Sequence, residues 1–159
     1  MLVQSDRFGP LEIPDNKIIT MKKPILGFEK LTRYCLIEQE EFFPFMWFQS
    51  LEDPLIAFIV VNPVIFFKDY RISVHSKEVA DLGVEYPDRV ETYVIVTIPK
   101  NSVEMSVNLQ GPILINTENN TAKQLVLVNS EYQVQHFLIE VPEKVTESKA
   151  LDIEEPVGV

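Results

Sequence analysis

The chain has 159 residues, 46% of them hydrophobic and 24% charged, and its formal net charge at pH 7 is −10. This composition is typical of one globular domain. The acidic surplus argues against nucleic acid and anionic membranes as direct partners, because both attract Lys and Arg through phosphate. Basic proteins are the favoured partners.

Runs of β-branched and aromatic residues with period-two alternation recur along the chain, and proline, asparagine and aspartate separate them. This pattern predicts an all-β fold. In chain order, the predicted strands are 9–13, 17–21, 33–38, 45–51, 56–61, 70–74, 90–98, 103–107, 112–116, 122–128 and 132–139.

One short connector helix is predicted at Ser76–Leu82. Ser76 can cap its first turn, and Gly83 can take the left-handed conformation that ends many helices. Long helices have no room elsewhere, because many of the prolines recur at the spacing of a strand plus a turn.

The composition changes near Val141, and we expect the folded domain to span residues 1–141. From residue 140 onward there are six acidic residues, two lysines and no aromatic residue. Such a segment buries too little apolar surface to offset the entropy of ordering, so residues 142–159 are predicted to be a flexible acidic tail. Docking of the tail as a helix or strand that faces a partner is the alternative.

The lone cysteine, Cys35, cannot form an internal disulfide, which secreted proteins of this size usually contain. The N-terminus reaches Asp6 before any apolar stretch, and the longest uncharged run, residues 54–67, is interrupted by Asn62 and Pro63. We therefore expect a cytoplasmic protein without a membrane-spanning segment.

The sequence lacks the residue patterns that carry catalysis or hold a cofactor. Its five glycines lie too far apart for a phosphate loop, a dinucleotide-binding turn or a nucleophile elbow. His75 and His136 have no neighbouring ligand at metal-binding spacing, and Cys35 lies in an apolar strand, where a thiol stays protonated. We therefore expect no enzyme activity, no metal and no cofactor.

An acidic run that contains Glu38, Glu40 and Glu41 follows one predicted strand. It is interpreted either as a solvated turn or as an acidic patch that faces a basic protein. A pair of glycosidase carboxylates is a weaker interpretation, because such pairs need flanking substrate geometry that consecutive loop residues rarely provide.

Nine aromatic residues crowd the segment from Phe42 to Tyr70. Successive side chains of a strand point to opposite faces, so a pair such as Phe66-Phe67 exposes one ring unless both faces are covered. An exposed aromatic ring beside polar groups is a candidate for protein binding.

Short blocks of sequence occur in a distinctive order. They are Leu26-Gly27-Phe28, Phe48-Gln49-Ser50, Ala57-Phe58-Ile59-Val60, Asn62-Pro63, Phe66-Phe67-Lys68-Asp69-Tyr70, Leu82-Gly83, Tyr93-Val94-Ile95-Val96-Thr97-Ile98-Pro99, Asn108-Leu109-Gln110-Gly111-Pro112-Ile113 and Ala122-Lys123-Gln124. This series, over residues 1–136, resembles the family of the flagellar assembly factor FliW. The ordered combination of the Asn-Pro, Asp-Tyr and Asn-Leu-Gln-x-Pro-Ile blocks is specific to this family, whereas one block alone is weak evidence for the resemblance.

The resemblance implies a compact, antiparallel, barrel-like β domain that is not an enzyme and binds two proteins in turn. One is the RNA-binding translational repressor CsrA, whose RNA binding the family antagonises by an indirect, allosteric route. The other is cytoplasmic flagellin, which takes FliW away from the repressor when it accumulates, so that flagellin translation is under homeostatic control. An export or assembly chaperone that binds flagellin only is the alternative. We expect the free protein to be a monomer.

Five residues of the blocks are predicted to form the partner-facing surface, because they are polar within apolar surroundings or belong to an adjacent aromatic pair. They are Asn62, Phe66, Asp69, Asn108 and Gln110. The competing interpretation is that Asn62, Asn108 and Gln110 only hydrogen-bond their own turns.

Overall fold

The computed structural model describes residues 1–100, 104–128, 130–138 and 150–154. In this part of the chain there are thirteen strands, numbered β1 to β13 in chain order: Leu2–Ser5, Gly9–Glu12, Ile19–Lys23, Arg33–Glu38, Met46–Ser50, Ala57–Val61, Ile72–His75, Val90–Thr97, Ser106–Val107, Ile113–Asn116, Thr121–Gln124, His136–Phe137 and Leu151–Glu154. The same residues contain five 3₁₀ helical segments: Asp15–Lys17, Glu40–Phe42, Pro63–Ile65, Ser76–Leu82 and Pro87–Arg89.

Seven of the strands close a barrel. Their order around it is β10, β11, β3, β4, β5, β6 and β8, and β8 pairs back with β10. All of these pairings are antiparallel except that of β11 with β3. Strand β9 pairs with the C-terminal end of β8, and β12 pairs with β9. The predicted all-β, barrel-like fold is confirmed.

The barrel interior is filled by every second residue of its strands. Tyr34, Phe48, Val60, Tyr93 and Ile113 belong to one buried cluster. The rings of Tyr34 and Phe48 stack with their centroids 4.3 Å apart. Strict alternation on β4, β5, β6 and β8 is therefore what places one apolar set inside the barrel.

A second core covers the outer face of β6 and β8. Val61 and Val94 point away from the barrel interior and are 0% exposed, because residues from 62 to 84 and strand β13 pack over them. Phe66 and Phe67 are both half-buried against this second core. The pair follows the helical turn Pro63–Ile65 and does not belong to a strand, so its two rings need not point to opposite faces, and neither is fully exposed.

The predicted connector helix has the predicted bounds, Ser76–Leu82, but it is a 3₁₀ helix and its cap differs. His75, not Ser76, is the N-cap: its Nδ1 accepts from the Lys77 N–H at 3.2 Å, and Glu78 accepts from the His75 N–H at 2.8 Å. Gly83 ends the helix at φ 61°, in the predicted left-handed conformation.

The C-terminal segment differs from the predicted flexible tail where it is described. Leu151–Glu154 pairs in parallel with Ile72–His75, and Ala150 is 3% exposed. Residues 142–149 and 155–159 lie outside the described residues. The described part of the chain contains no helix that is long and apolar enough to cross a membrane.

Candidate partner-binding surface

A groove of about 740 Å³ lies where three barrel strands meet at one edge. Glu38 ends β4 and pairs with Met46, the first residue of β5, and Met46 pairs in turn with Val60 near the end of β6. Asn62 follows two residues later. Antiparallel pairing therefore brings Glu38 and Asn62, which are distant in sequence, to the walls of one groove.

Two exposed aromatic rings lie beside this groove on the turn between β4 and β5. Phe43 lines the groove and is 61% exposed, and Phe42 is 46% exposed. Phe42 contacts the ring of Trp47 edge-on, with centroids 4.9 Å apart. The exposed aromatic side chains that the sequence predicts at the pair Phe66-Phe67 thus lie at Phe42 and Phe43 instead. Their signal in the sequence is an adjacent pair between acidic residues and a proline, outside any alternating strand.

The predicted acidic patch lies on the same turn. Glu38, Glu40 and Glu41 are all exposed, and Glu38 and Glu40 line the groove. None of the three forms an ion pair with another residue of the described chain. Their charges are therefore free to attract a cationic partner beside the exposed aromatic rings.

Tyr93 forms part of the groove floor and links it to a second cavity at the barrel mouth, of about 790 Å³. Its hydroxyl donates to the Glu91 carboxylate. Burial, this hydrogen bond and the charges of Glu91 and Glu38 raise the pKa of Tyr93 above its ordinary value. The Tyr93 hydroxyl is therefore a neutral hydrogen-bond donor at physiological pH. Glu38 and Glu91 also line the second cavity.

Asn62 has a local structural role as well as a place on the groove. Its Oδ1 accepts from the Val64 N–H at 3.2 Å and so caps the helical turn Pro63–Ile65. Its amide nitrogen makes no hydrogen bond with the part of the chain that the structure describes. The side chain is half-buried, and one side of it remains available to a partner.

Phe66 lies on the groove's inner side. Its ring stacks on Phe45, with centroids 5.8 Å apart, and it packs against the second core. It thus supports the groove through Phe45, which is a lining residue.

Asp69, Asn108 and Gln110 do not line the groove. Asp69 and Leu109 line a cavity of about 300 Å³. Asn108 accepts from the N–H groups of Gln110 and Gly111, both at 3.0 Å, whereas the Gln110 amide donates to the Leu127 carbonyl at 3.2 Å. Asn108 therefore holds its own turn, and Gln110 holds a neighbouring segment. Of the five predicted residues, only Asn62 lines the groove, and Phe66 supports it through Phe45.

Among the described residues, no group of three His, Cys, Asp or Glu side chains is arranged to hold a metal ion. Burial raises the pKa of the Cys35 thiol to about 11. The thiol is therefore protonated at neutral pH.

Comparison with known proteins identifies the family. The family model described as FliW protein matches residues 2–138. The chain belongs to the FliW family. It is similar to the flagellar assembly factor FliW of Alkaliphilus metalliredigens, with 36% identity over 148 residues that cover 92% of this chain and 91% of the relative. The flagellar assembly factor FliW of Clostridium botulinum is 39% identical over 140 residues, which cover 88% of this chain and 99% of that protein.

A crystal structure of the flagellar assembly factor FliW superposes on this chain with a TM-score of 0.81 and 30% sequence identity. The superposition covers 91% of this chain and 100% of that one. The groove, the acidic turn and all five predicted residues lie within the FliW match, whereas β13 lies after it.

Proposed function

We propose that this FliW family protein antagonises the translational repressor CsrA and is titrated away from it by cytoplasmic flagellin. The family assignment supports a role in flagellar assembly. The observation that carries the finer proposal is the groove itself, because it places Glu38 and Glu40 beside Asn62 and the exposed ring of Phe43.

Such a groove suits a basic, RNA-binding protein. A repressor that binds RNA presents cationic side chains to phosphate, and the exposed carboxylates of the acidic turn attract the same side chains. The net charge of −10 adds a negative potential that opposes RNA near the complex. Antagonism then needs no copy of the RNA in the binding site, which is consistent with an allosteric route.

Flagellin poses a different recognition problem, because its terminal segments are unfolded before assembly. An apolar groove with a few polar groups suits an amphipathic segment of that kind, and exposed aromatic rings supply its anchors. Competition between the two partners requires only that binding of one excludes the other.

The decisive experiment follows a labelled RNA that carries a repressor site. Addition of this protein to the RNA–repressor complex should release the RNA, and subsequent addition of flagellin should restore the complex. If flagellin binds while the RNA stays on the repressor throughout, the protein is an export or assembly chaperone for flagellin only.

A matched pair of variants tests the groove. Reversal of Glu38, Glu40 and Glu41 to lysine should abolish RNA release. The control reverses three exposed acids that do not line the groove, Asp15, Glu85 and Glu104, and it changes the net charge equally. Loss of RNA release in both variants would show that only overall charge matters.

A further inference from the structure

One seam of the barrel, between β6 and β8, is closed over only part of its length. Strand β6 ends at Val61 and pairs with residues 94–96 of β8. Residues 90–93, the first half of β8, pair with β10 on one side. On their other side no strand of the described chain pairs with them. The first half of β8 is therefore an open strand edge within the barrel sheet.

The sequence explains why β6 ends at this point. The last pair of its ladder with β8 joins Val61 and Val94. Two residues further along a continued ladder, Pro63 would be opposite Thr92. Proline has no N–H to donate to a neighbouring strand, and Pro63 instead begins the helical turn Pro63–Ile65. Strand β6 itself therefore does not complete the seam.

The backbone groups of Thr92 point to the open side of β8. On the side of β9, the Ile95 carbonyl accepts from the Asn108 N–H at 3.0 Å. Alternate residues of a strand direct their backbone groups to opposite sides, and the register of β8 contains no bulge. The N–H and C=O of Thr92 and the C=O of Val90 therefore point to the open edge. No residue of the described chain forms a backbone hydrogen bond with them there.

A cavity of about 240 Å³ lies against this edge and is lined by Val90, Thr92 and Asn62. Thr92 is 6% exposed, and its hydroxyl makes no hydrogen bond within the described part of the chain. The Asn62 amide nitrogen likewise has no partner there. Asn62 and Tyr93 line both this cavity and the groove, so the two spaces adjoin. The groove thus leads to an edge with unpaired backbone and side-chain polar groups.

The charged side chains around the edge are acidic. Glu38 lines the groove, whereas Asp88 and Glu91 line the cavity. No Lys or Arg of the described residues lines either space. None of the three carboxylates forms an ion pair with a described residue. A segment that pairs with this edge is therefore favoured when it carries a basic side chain.

We propose that the open edge of β8 binds an extended segment of a basic protein, which adds a strand antiparallel to β8. The segment makes the ladder hydrogen bonds with Thr92 and Val90 that β6 does not make, and its Lys or Arg side chain lies beside Asp88 and Glu91. Main-chain hydrogen bonds supply the affinity, and the basic side chain supplies the specificity. The inference rests on the proposed function for the identity of the basic protein, which is the repressor, and it adds the mode of binding.

Amide hydrogen exchange, followed by NMR spectroscopy on the full chain, tests the added strand. The Thr92 N–H should exchange about tenfold more slowly, or slower still, in the repressor complex than in the free protein. Tyr93 is the internal control, because its N–H points to β10 and is already protected in the free protein. Nuclear Overhauser contacts should join the Thr92 amide proton to the repressor backbone.

The outcomes separate the strand from the proposed function. An unchanged Thr92 exchange rate in a complex that releases RNA would overturn the inference and leave the proposed function intact. A repressor that does not bind the wild-type chain would overturn both.

A matched pair of charge variants tests the basic side chain. Asp88 and Glu85 are both exposed, but only Asp88 lines the cavity. Asp88→Lys should weaken repressor binding about tenfold, as measured by calorimetry, because it places a like charge beside the incoming side chain. Glu85→Lys changes the net charge equally and should weaken binding much less. Equal losses in the two variants would overturn the proposed place of the basic side chain.

Discussion

Two phenylalanines near the groove have different roles, although both lie in adjacent aromatic pairs. Phe43 is 61% exposed, so Phe43→Ala should change the free energy of unfolding by less than about 0.5 kcal/mol. If its ring anchors a partner, the same change should weaken partner binding by about 2 kcal/mol, measured by calorimetry. Leu55→Ala is the control, because Leu55 is 73% exposed and does not line the groove. Equal binding by both variants would remove Phe43 from the partner surface.

Phe66→Ala should behave in the opposite way. Phe66 is half-buried, stacks on Phe45 and packs against the second core, so truncation should lower the free energy of unfolding by about 2 kcal/mol. Urea denaturation measures this loss. An unchanged unfolding midpoint together with lost partner binding would instead make Phe66 a direct anchor, as the sequence alone predicts.

Two buried tyrosine hydroxyls differ in their hydrogen bonding. The Tyr70 hydroxyl donates to the Leu109 carbonyl at 2.7 Å, whereas the Tyr34 hydroxyl has no partner in the described structure. Tyr70→Phe should lower the free energy of unfolding by about 1 kcal/mol, and Tyr34→Phe should leave it unchanged or raise it. Similar losses in both variants would show that the Tyr34 hydroxyl has a partner.

The pH dependence of stability follows from the same side chains. Burial, and to a smaller extent the charge of Glu52, raises the pKa of Tyr34 to about 12, above its ordinary value of 10.0. A raised pKa means that the neutral hydroxyl contributes stability that is complete below pH 10 and is lost as the pH rises towards 12. Chemical denaturation between pH 9 and pH 12 should therefore show that the free energy of unfolding declines more steeply with pH for the wild type than for Tyr34→Phe. Parallel pH profiles would contradict this assignment.

Among the secondary-structure elements, the helix Ser76–Leu82 depends on Gly83. A non-glycine residue with left-handed geometry costs about 1–2 kcal/mol, so Gly83→Val should lower the free energy of unfolding by at least that much. Gly83→Asn is the matched variant, because asparagine tolerates this conformation and meets the same neighbour, the Asn119 amide 3.3 Å from the Cβ position. If thermal denaturation shows equal losses of stability for the two variants, steric contact rather than backbone conformation determines the cost of replacing Gly83.

The elements that the sequence predicts best are the barrel strands, in which every second side chain points into the barrel interior. Arg33–Glu38 has the predicted bounds because Tyr34 and Leu36 point inward and the strand has neighbours on both sides. Strand β13 was not predicted, since its order depends on contact with β7, although the alternation Leu-Asp-Ile-Glu was a usable signal.

The candidate site was less predictable than the fold, for a physical reason. Glu38 and Asn62 meet only because β4, β5 and β6 pair in one particular register, and no local pattern specifies that register. Phe66 is covered because it packs against the second core, whereas Phe43 is 61% exposed. Residue types therefore indicated protein binding, and tertiary pairing decided which of them share a surface.

The protein as a whole combines a closed barrel, a second core on one side and an acidic turn at the barrel edge, with a net charge of −10. If this charge steers a basic repressor to the groove, association should be fast at low ionic strength and should slow markedly as salt rises, because screening shortens to about 8 Å at 0.15 M. Flagellin binding should respond much less, since burial of an apolar segment depends weakly on salt. Stopped-flow association measured for both partners across a salt series tests this difference.

The triple reversal of Glu38, Glu40 and Glu41 to lysine locates the effect. It should remove most of the salt dependence of repressor association and weaken that complex, while it spares the flagellin complex. The reversal of Asp15, Glu85 and Glu104 changes the net charge by the same amount but leaves the groove acids in place, so it should preserve most of the dependence. One outcome would contradict this account: the association rate of each partner stays the same at every salt concentration, and the groove reversal changes neither rate. The charge would then serve solubility alone, and the electrostatic account of antagonism would be wrong.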